Sequence, residues 1–326
     1  MLCKVTETGE LQKLQLSNHP ECALFSQEIV QGSVQVRYVS PAGEDQAETT
    51  HKPEHDEILE VPLEPSIDEL DIADVNLHES MVKAYRMGSP YDEWFSACFG
   101  FETALMYIGD GRRPVLGTFS PRNASQPTPA SSKGWLSSIS SFIGGTEQQN
   151  EPDWLAFSDC APYLIASEAS LSNVSRRLQS GEMEMIKFRP NIVVDGEGEW
   201  EEDYWAELAV AQPNGDGKNG EQLTPTFTLS KMCGRCTSVN VDYGTGRYAT
   251  NEYGTVLKKL MSDRRVDEGN KYSPIFGRYA FLTDGVSQGT LAVGDVVKVT
   301  KASEERPVWD WPSKRTASPR YYNQRV

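Results

Sequence analysis

No histidine follows position 78: His19, His51, His55 and His78 all precede residue 80. The chain beyond them therefore cannot supply, from its own residues, a His-containing triad, a Cys–His zinc site or a histidine general base. Long apolar runs are missing too. None approaches the about 18 residues that a membrane-spanning helix needs, and Met1-Leu2-Cys3-Lys4-Val5-Thr6 has no signal-peptide layout. A second close cysteine pair is also missing. Of six cysteines (3, 22, 98, 160, 233 and 236) only Cys233 and Cys236 are neighbours, the usage expected of a reducing compartment. Basic residues are short, 31 against 47 acidic, for a net charge of −16. That balance argues against nucleic acid or anionic lipid as the main partner through bulk electrostatics, and suits a basic one.

What is present is globular. The 326 residues are 38% apolar with 26 glycines, enough for one large or two medium domains. Residues 1–115 read as a β-rich domain, with Leu24–Val30 and Val34–Val39 as strands and Ala42–Glu57 as an acidic surface loop. His51 and His55 have metal-pair spacing, but Pro53 breaks the helix it would need. Ser89-Pro90-Tyr91-Asp92 predicts a helix start, with Ser89 as cap, Asp92 completing a capping box and Gly100 as the stop. Trp94, Phe95 and Cys98 form its packed face, and Thr103–Gly109 is the next strand.

Residues 116–152 are rich in Ser, Pro, Thr, Gly and Gln, a linker or insertion. Within it, 134–145 places Trp135, Leu136, Ile139, Phe142 and Ile143 on one helical face opposite serines. Such a face suits peripheral contact with a membrane surface, or folds back on its own domain. A second domain spans 153–302. Ser167 caps a helix with the stripe Leu171, Val174 and Leu178, closed by Gly181; a later helix carries Val256, Leu257, Leu260 and Met261; Val296–Val299 is the closing strand. Many strands with few helices suggest a β-barrel. The tail, 303–326, reads as a surface arm with Trp309, Trp311, Arg315 and Arg320.

The cysteine pair lies in Lys231-Met232-Cys233-Gly234-Arg235-Cys236, between the strand-like Thr226–Leu229 and an alternating run, Thr237 to Asp242, that predicts another strand. Four readings compete. A zinc knuckle needs four ligands and the pair gives two. A thioredoxin-type pair opens a helix, whereas Thr-Ser-Val-Asn-Val follows here. The two could be buried structural cysteines. Or one thiolate holds a soft metal, with Arg235 beside it to neutralise an anionic cofactor and Arg189, in a strand start stiffened by Pro190, as a second clamp.

Seven ordered motifs carry a resemblance: Ser158-Asp159-Cys160-Ala161-Pro162-Tyr163, Ser167-Glu168-Ala169-Ser170-Leu171, Phe188-Arg189-Pro190-Asn191, Cys233-Gly234-Arg235-Cys236, Val241-Asp242-Tyr243-Gly244, Tyr272-Ser273-Pro274-Ile275-Phe276-Gly277 and Val293-Gly294-Asp295. The series, over about 155–300, resembles the MOSC domain family and within it most closely the mitochondrial amidoxime-reducing components; residues 1–110 resemble that family's N-terminal β-rich domain more loosely. The fold so implied is mainly β with α+β elements, a MOSC-type β-barrel behind a β-rich MOSC N-terminal domain. The cofactor implied is molybdenum with molybdopterin, Cys236 being the metal ligand and catalytic centre. Asp159, Arg189 and Asn191 match pterin-side positions, Arg235 adjoins the ligand, and Cys233 packs.

The resemblance also implies reduction of amidoximes to amidines or hydroxylamines to amines. Electrons come from a b-type cytochrome served by an NADH-dependent flavin reductase, and no nucleic acid is involved. An intracellular place follows, mitochondrial outer membrane or cytoplasm. The family's opening strand with Pro-(Ile/Val)-Lys-Ser, and a later Asp-Arg pair, have no counterpart here, so the expectation is a truncated N-terminus without a targeting segment. Beside the reductase stand two alternatives: a cofactor carrier like the C-terminal domain of molybdenum-cofactor sulfurase, and a cofactor-free interaction domain.

Overall fold

The computed structural model of the chain describes residues 1–41, 51–124, 153–211, 225–283 and 290–312. The stretch 134–145, with its membrane reading, and Arg315 and Arg320 lie outside them.

The N-terminal unit holds two antiparallel sheets. Strands β1 (Leu2–Val5) and β2 (Leu11–Lys13) open the first, while β3 (Phe25–Val30), β4 (Ser33–Tyr38) and β5 (Ile58–Pro62) form the second. The hairpin β6 (Asp71–Leu77) and β7 (Ser80–Arg86), then helix α1 (Tyr91–Phe99) and β8 (Thr103–Tyr107), complete the five-stranded order β2-β1-β8-β7-β6. Trp94 and Phe95 of α1 are buried against Phe25, Val36 and Leu59 on the three-stranded sheet, the face expected of them, and Gly100 ends the helix in the left-handed region.

The start of α1 differs from expectation. Its cap position is Pro90, without a side-chain hydrogen bond, and Asp92 closes no capping box. Asp92 is turned inward instead, accepting from the Leu105 amide at 2.7 Å and from Arg86 Nε at 2.6 Å. A buried carboxylate offered a charged donor and an orphan strand amide is held better there than at an exposed helix end.

Strand β9 (Arg113–Pro114) precedes a single-turn helix, α2 (Pro121–Ala124), and pairs across the insertion with β10 (Trp154–Leu155). There follow β11 (Tyr163–Ser167), α3 (Glu168–Ser175), β12 (Ile192–Val194), β13 (Trp205–Ala211), β14 (Thr226–Gly234), β15 (Val241–Asp242), β16 (Arg247–Tyr248), α4 (Val256–Leu260), β17 (Ile275–Leu282) and β18 (Val296–Ala302). Six of these strands build one bent, nearly closed, barrel-like sheet in the order β12-β11-β17-β14-β13-β18. The mainly-β architecture with a barrel is the expected fold.

Only β11 and β12 are parallel in this sheet, and a parallel pair needs a crossover, which α3 supplies. The helix starts where the sequence says: the Ser167 side chain accepts from the Ser170 amide, and Glu168 lies at the positive end of the dipole. Leu171, Val174 and Leu178 face a core shared with Phe188, Val256, Leu260 and Phe276. Phe188 and Phe276 stack with centroids 3.9 Å apart, each ring contributing about 1.5–3 kcal/mol by its burial.

The segment after β18 is a second departure. Rather than a free arm, 303–312 is a strap laid back on the protein. Trp311 is buried with Phe119 and Tyr279, Asp310 accepts from the Thr118 amide at 2.9 Å, and Trp311 Nε1 donates to the His78 carbonyl at 2.6 Å. Two indoles offer more apolar area than solvent tolerates, and Phe119 gives both an edge-to-face partner.

Candidate active site

Strand β14 ends at Gly234, where a Cβ would stand 2.4 Å from Asn270 Nδ2 and 3.1 Å from Ser273 Cβ. Glycine here lets the 270–274 loop lie directly on the strand end, and the Arg235 amide donates to the Pro274 carbonyl at 2.8 Å. The Arg235 guanidinium is taken up within the protein. Nε and Nη2 donate to the Phe276 carbonyl at 2.9 and 2.7 Å, Nη1 donates to the Phe188 carbonyl at 2.8 Å, and both phenyl rings lie within 6 Å of it. Its bidentate face is thus turned to backbone, and what it lends the site is charge and rigidity.

Cys236 comes next and is exposed, its Sγ 3.1 Å from Ser238 Oγ. Cys233 is its opposite. It is buried, donates to the Tyr279 hydroxyl at 3.3 Å, and burial pushes its thiol pKa up despite the Arg235 charge. The two members of the pair therefore differ in kind: a protonated packing thiol and an available one.

The alternating run after Cys236 is not a strand. Thr237–Asn240 forms a 3₁₀ turn, and only Val241–Asp242 pair, as β15. Tertiary contacts override the period-2 pattern: Val239 is buried among the α3 and α4 side chains, and Asn240 Oδ1 accepts from the Leu257 amide at 3.0 Å.

The Phe-Arg-Pro-Asn motif meets this turn. A 3₁₀ turn, Met185–Phe188, packs against Thr237–Asn240 and ends in Arg189. Arg189 is not the extended strand start expected of a residue before proline, because it stands in the left-handed region at φ 53° and ψ 44°. The reversal brings Asn191 onto β11, where its amide donates to the Leu164 carbonyl and its Oδ1 accepts from the Leu164 amide, both at 2.8 Å. A non-glycine residue held there is strained, as functional positions often are. The Arg189 side chain is exposed and makes no hydrogen bond or ion pair among the described residues.

Asp159 sits at the other side of Cys233. It accepts from the Tyr279 hydroxyl, and its Oδ1 lies 2.8 Å from His78 Nε2. Burial works against its ionised form, but these two bonds and the Arg235 charge outweigh it and hold the carboxyl well below the usual range. Arg113, fully buried, gathers the neighbourhood: it donates to the carbonyls of Leu77 at 3.1 Å, Ala156 at 3.2 Å, and Ser158 and Asp159 at 2.5 Å.

Cys236, Arg235 and Arg189 are thus carried by abutting turns, Asn191 locks the second of these to the barrel, and Asp159 joins them through Tyr279 and Cys233. Sequence reasoning missed His78, Arg113 and Tyr279. The one available signal was His78 itself, the last histidine, in a polar turn between two alternating strands.

Residues 152–298 match the model of the MOSC domain, so this part of the chain is a MOSC domain. Over it the chain is similar to curated relatives. It is 36% identical over 149 residues to mitochondrial amidoxime-reducing component 1 of Homo sapiens, covering 44% of this chain and 39% of that protein. It is 38% identical over 144 residues to mitochondrial amidoxime reducing component 2 of Rattus norvegicus, covering 44% and 38%. Component 1 of Danio rerio is 31% identical over 151 residues, covering 45% and 40%. The match spans about two fifths of the length of these relatives.

Proposed function

We propose that the chain is a molybdenum-cofactor-dependent oxidoreductase that reduces N-hydroxylated compounds, amidoximes and hydroxylamines among them. One observation carries the reading. In a MOSC domain similar to proteins named for amidoxime reduction, the exposed thiol of Cys236 stands beside the turn that presents Arg189, which has no hydrogen bond or ion pair among the described residues.

The residues fit the group. Among the described residues no cluster of three or more His, Cys, Asp or Glu is arranged to hold a metal ion. A metal at Cys236 would therefore have one soft protein ligand and draw its others from a cofactor, which is the donor set of a pterin dithiolene. The exposed Arg189 guanidinium, without a hydrogen bond or ion pair among the described residues, suits a phosphate. Asp159, held ionised, accepts N–H groups of a heterocycle, and Asn191 keeps its Nδ2 donors outside the Leu164 lock. Cys236 anchors, Arg235 fixes the anchoring turn through two carbonyls, and the Phe188–Phe276 pair shields its underside from water.

When bound, the cofactor supplies two-electron redox chemistry. An amidoxime takes up two electrons and two protons, its N–O bond breaks, and amidine and water leave. A b-type cytochrome and an NADH-dependent flavin reductase provide the electrons, at the mitochondrion for which the relatives are named. Among the described residues no helix is long and apolar enough to cross a membrane.

The test is molybdenum per chain, by metal mass spectrometry, for protein from a cofactor-producing host beside Cys236→Ser, followed by NADH-driven benzamidoxime reduction with added cytochrome and reductase. Near-stoichiometric molybdenum lost in the variant, with turnover in the wild type, is expected. Molybdenum without turnover would favour a cofactor carrier, and full retention in Cys236→Ser would remove that residue as ligand.

A further inference from the structure

One contact to the Asp159 carboxylate itself comes from outside the MOSC region. His78 and Glu79 form the two-residue turn between β6 and β7, both at positive φ (54° and 64°), the geometry of a primed hairpin turn. It aims the imidazole at Asp159 Oδ1, 2.8 Å from Nε2. The other ring nitrogen, Nδ1, lies 3.5 Å from Lys13 Nζ. An ammonium can only donate, so Nδ1 accepts, the ring proton sits on Nε2, and it is donated to the carboxylate.

Three further contacts keep the pair together. The His78 carbonyl accepts from Trp311 Nε1 at 2.6 Å. The carbonyl before it, of Leu77, accepts from Arg113, whose Nη2 also binds the Asp159 carbonyl. Tyr279 occupies the other oxygen of the carboxylate, so its rotation is fixed from both sides. A half-exposed histidine is held here by a buried arginine, a tryptophan from the strap and a lysine.

We propose that His78 is a positioning residue of the cofactor site. It sets the orientation of the Asp159 carboxylate from the N-terminal unit, so that this unit and the strap at Trp311 belong to the binding site. The proposal rests on the reading that Asp159 meets the pterin. It implies that residues 153–302 alone would hold the cofactor poorly even when folded.

The test uses the full chain from a cofactor-producing host and follows bound pterin, by fluorescence after oxidation, together with molybdenum during dialysis. Wild type is compared with His78→Ala, His78→Gln, Asp159→Ala and Cys236→Ser. We expect His78→Ala to lose pterin about 10- to 100-fold faster than wild type, the range for removing a residue that orients a ligand-contacting group. His78→Gln, whose amide N–H can replace the Nε2 donor, restores most of the retention, which a packing role would not. In metal-free protein a slowly exchanging histidine ring N–H, seen by ¹⁵N NMR, disappears in Asp159→Ala.

Wild-type retention in His78→Ala while Asp159→Ala leaks would overturn the proposal and leave the site reading intact. Equal leakage of His78→Ala and His78→Gln would overturn it as well, assigning His78 to packing. Absence of molybdenum from the wild type, or full retention in both Asp159→Ala and Cys236→Ser, sinks the site reading and the proposal with it.

Discussion

Two carboxylates, Asp159 and Asp203, are both fixed by the fold through side-chain contacts but in different ways. Asp203 is fully buried and wrapped in arginine: Arg264 grips it with Nη2 at 2.8 Å to one oxygen and Nη1 at 3.0 Å to the other, and Arg306 Nε adds 2.8 Å. Arg278 reinforces the spot by donating to the Asp203 and Glu202 backbone carbonyls. Asp159 has no arginine side chain on its carboxylate. It is half exposed, with one imidazole and one phenol as close partners and the Cys160 thiol donating to Oδ1 at 3.7 Å. The first arrangement has its lone pairs saturated and closed to solvent; the second keeps a face free. The acid enclosed by arginines is closed to any ligand, whereas the one oriented by an imidazole, a phenol and a thiol is left open.

The sharpest way to break the comparison is to remove the enclosed acid. Asp203→Ala strands the Arg264 guanidinium in the interior and is expected to destabilise the protein by about 3–5 kcal/mol. A shifted urea midpoint at unchanged slope would report it. A loss under about 1 kcal/mol would mean that water compensates Arg264, and that the enclosure does not stabilise.

Glu202, next to it, yields the next largest effect. It is fully buried; its Oε2 accepts from the Ser170 hydroxyl at 2.8 Å while Oε1 has no partner among the described residues. Burial, opposed by that bond and by Arg264, raises its pKa from 4.5 to about 7. The folded state thus favours the protonated acid. This stabilisation is complete below the unfolded value and is lost as pH rises towards 7, a change of up to about 3 kcal/mol. Glu202→Gln keeps the Ser170 bond without the titration. Wild type should therefore lose stability relative to Glu202→Gln between pH 4.5 and pH 8, and parallel profiles would show that Glu202 ionises as easily folded as unfolded.

How far the sequence made these regions legible differs in the same way. The helix α3 was readable because Ser167, Glu168 and the Leu171–Val174–Leu178 stripe are local signals. The cysteine pair was readable because spacing and neighbours define it, although nothing in the sequence separated the buried Cys233 from the exposed Cys236 in chemical terms. The turn at Thr237–Asn240 was misread because its alternation is overridden by Asn240 capping α4. The strap was misread because its partners, Phe119, His78 and Thr118, are far away in the chain. His78 and Arg113 went unseen for the same reason. Each acts on Asp159 only after two units have folded together, and no window of sequence contains both ends of such a bond. The motif residues of the MOSC region came from resemblance, and their geometry came from the fold.

A smaller effect sharpens the first half of the comparison. Arg306 is one-third exposed and sits on the outer side of Asp203, over the Tyr204 ring. Because Arg264 remains in place, Arg306→Gln should cost only about 1 kcal/mol. A loss as large as that of Asp203→Ala would mean that the strap, not the inner arginine, carries the tie.

A smaller effect on stability than at Asp203, and the greatest on occupancy, is expected at Asp159. Asp159→Asn keeps the shape and the Oδ1 acceptor for His78 but removes the charge. Its carboxylate is half open to water, which screens part of what its bonds and its charge beside the buried Arg113 contribute, so unfolding should shift by less than for Asp203→Ala. A hydrogen bond between a charged acceptor and a ligand N–H is worth about 1.5–3 kcal/mol, so cofactor affinity should fall about 10- to 150-fold. Chemical denaturation and molybdenum content measured on the same preparations separate the two quantities. If Asp159→Asn unfolds as easily as Asp203→Ala while keeping its molybdenum, the roles assigned to the two acids are reversed: the network of His78, Tyr279 and Arg113 would then be a tie between two units of the fold, and the pterin would be held by Arg189 and Asn191 without it.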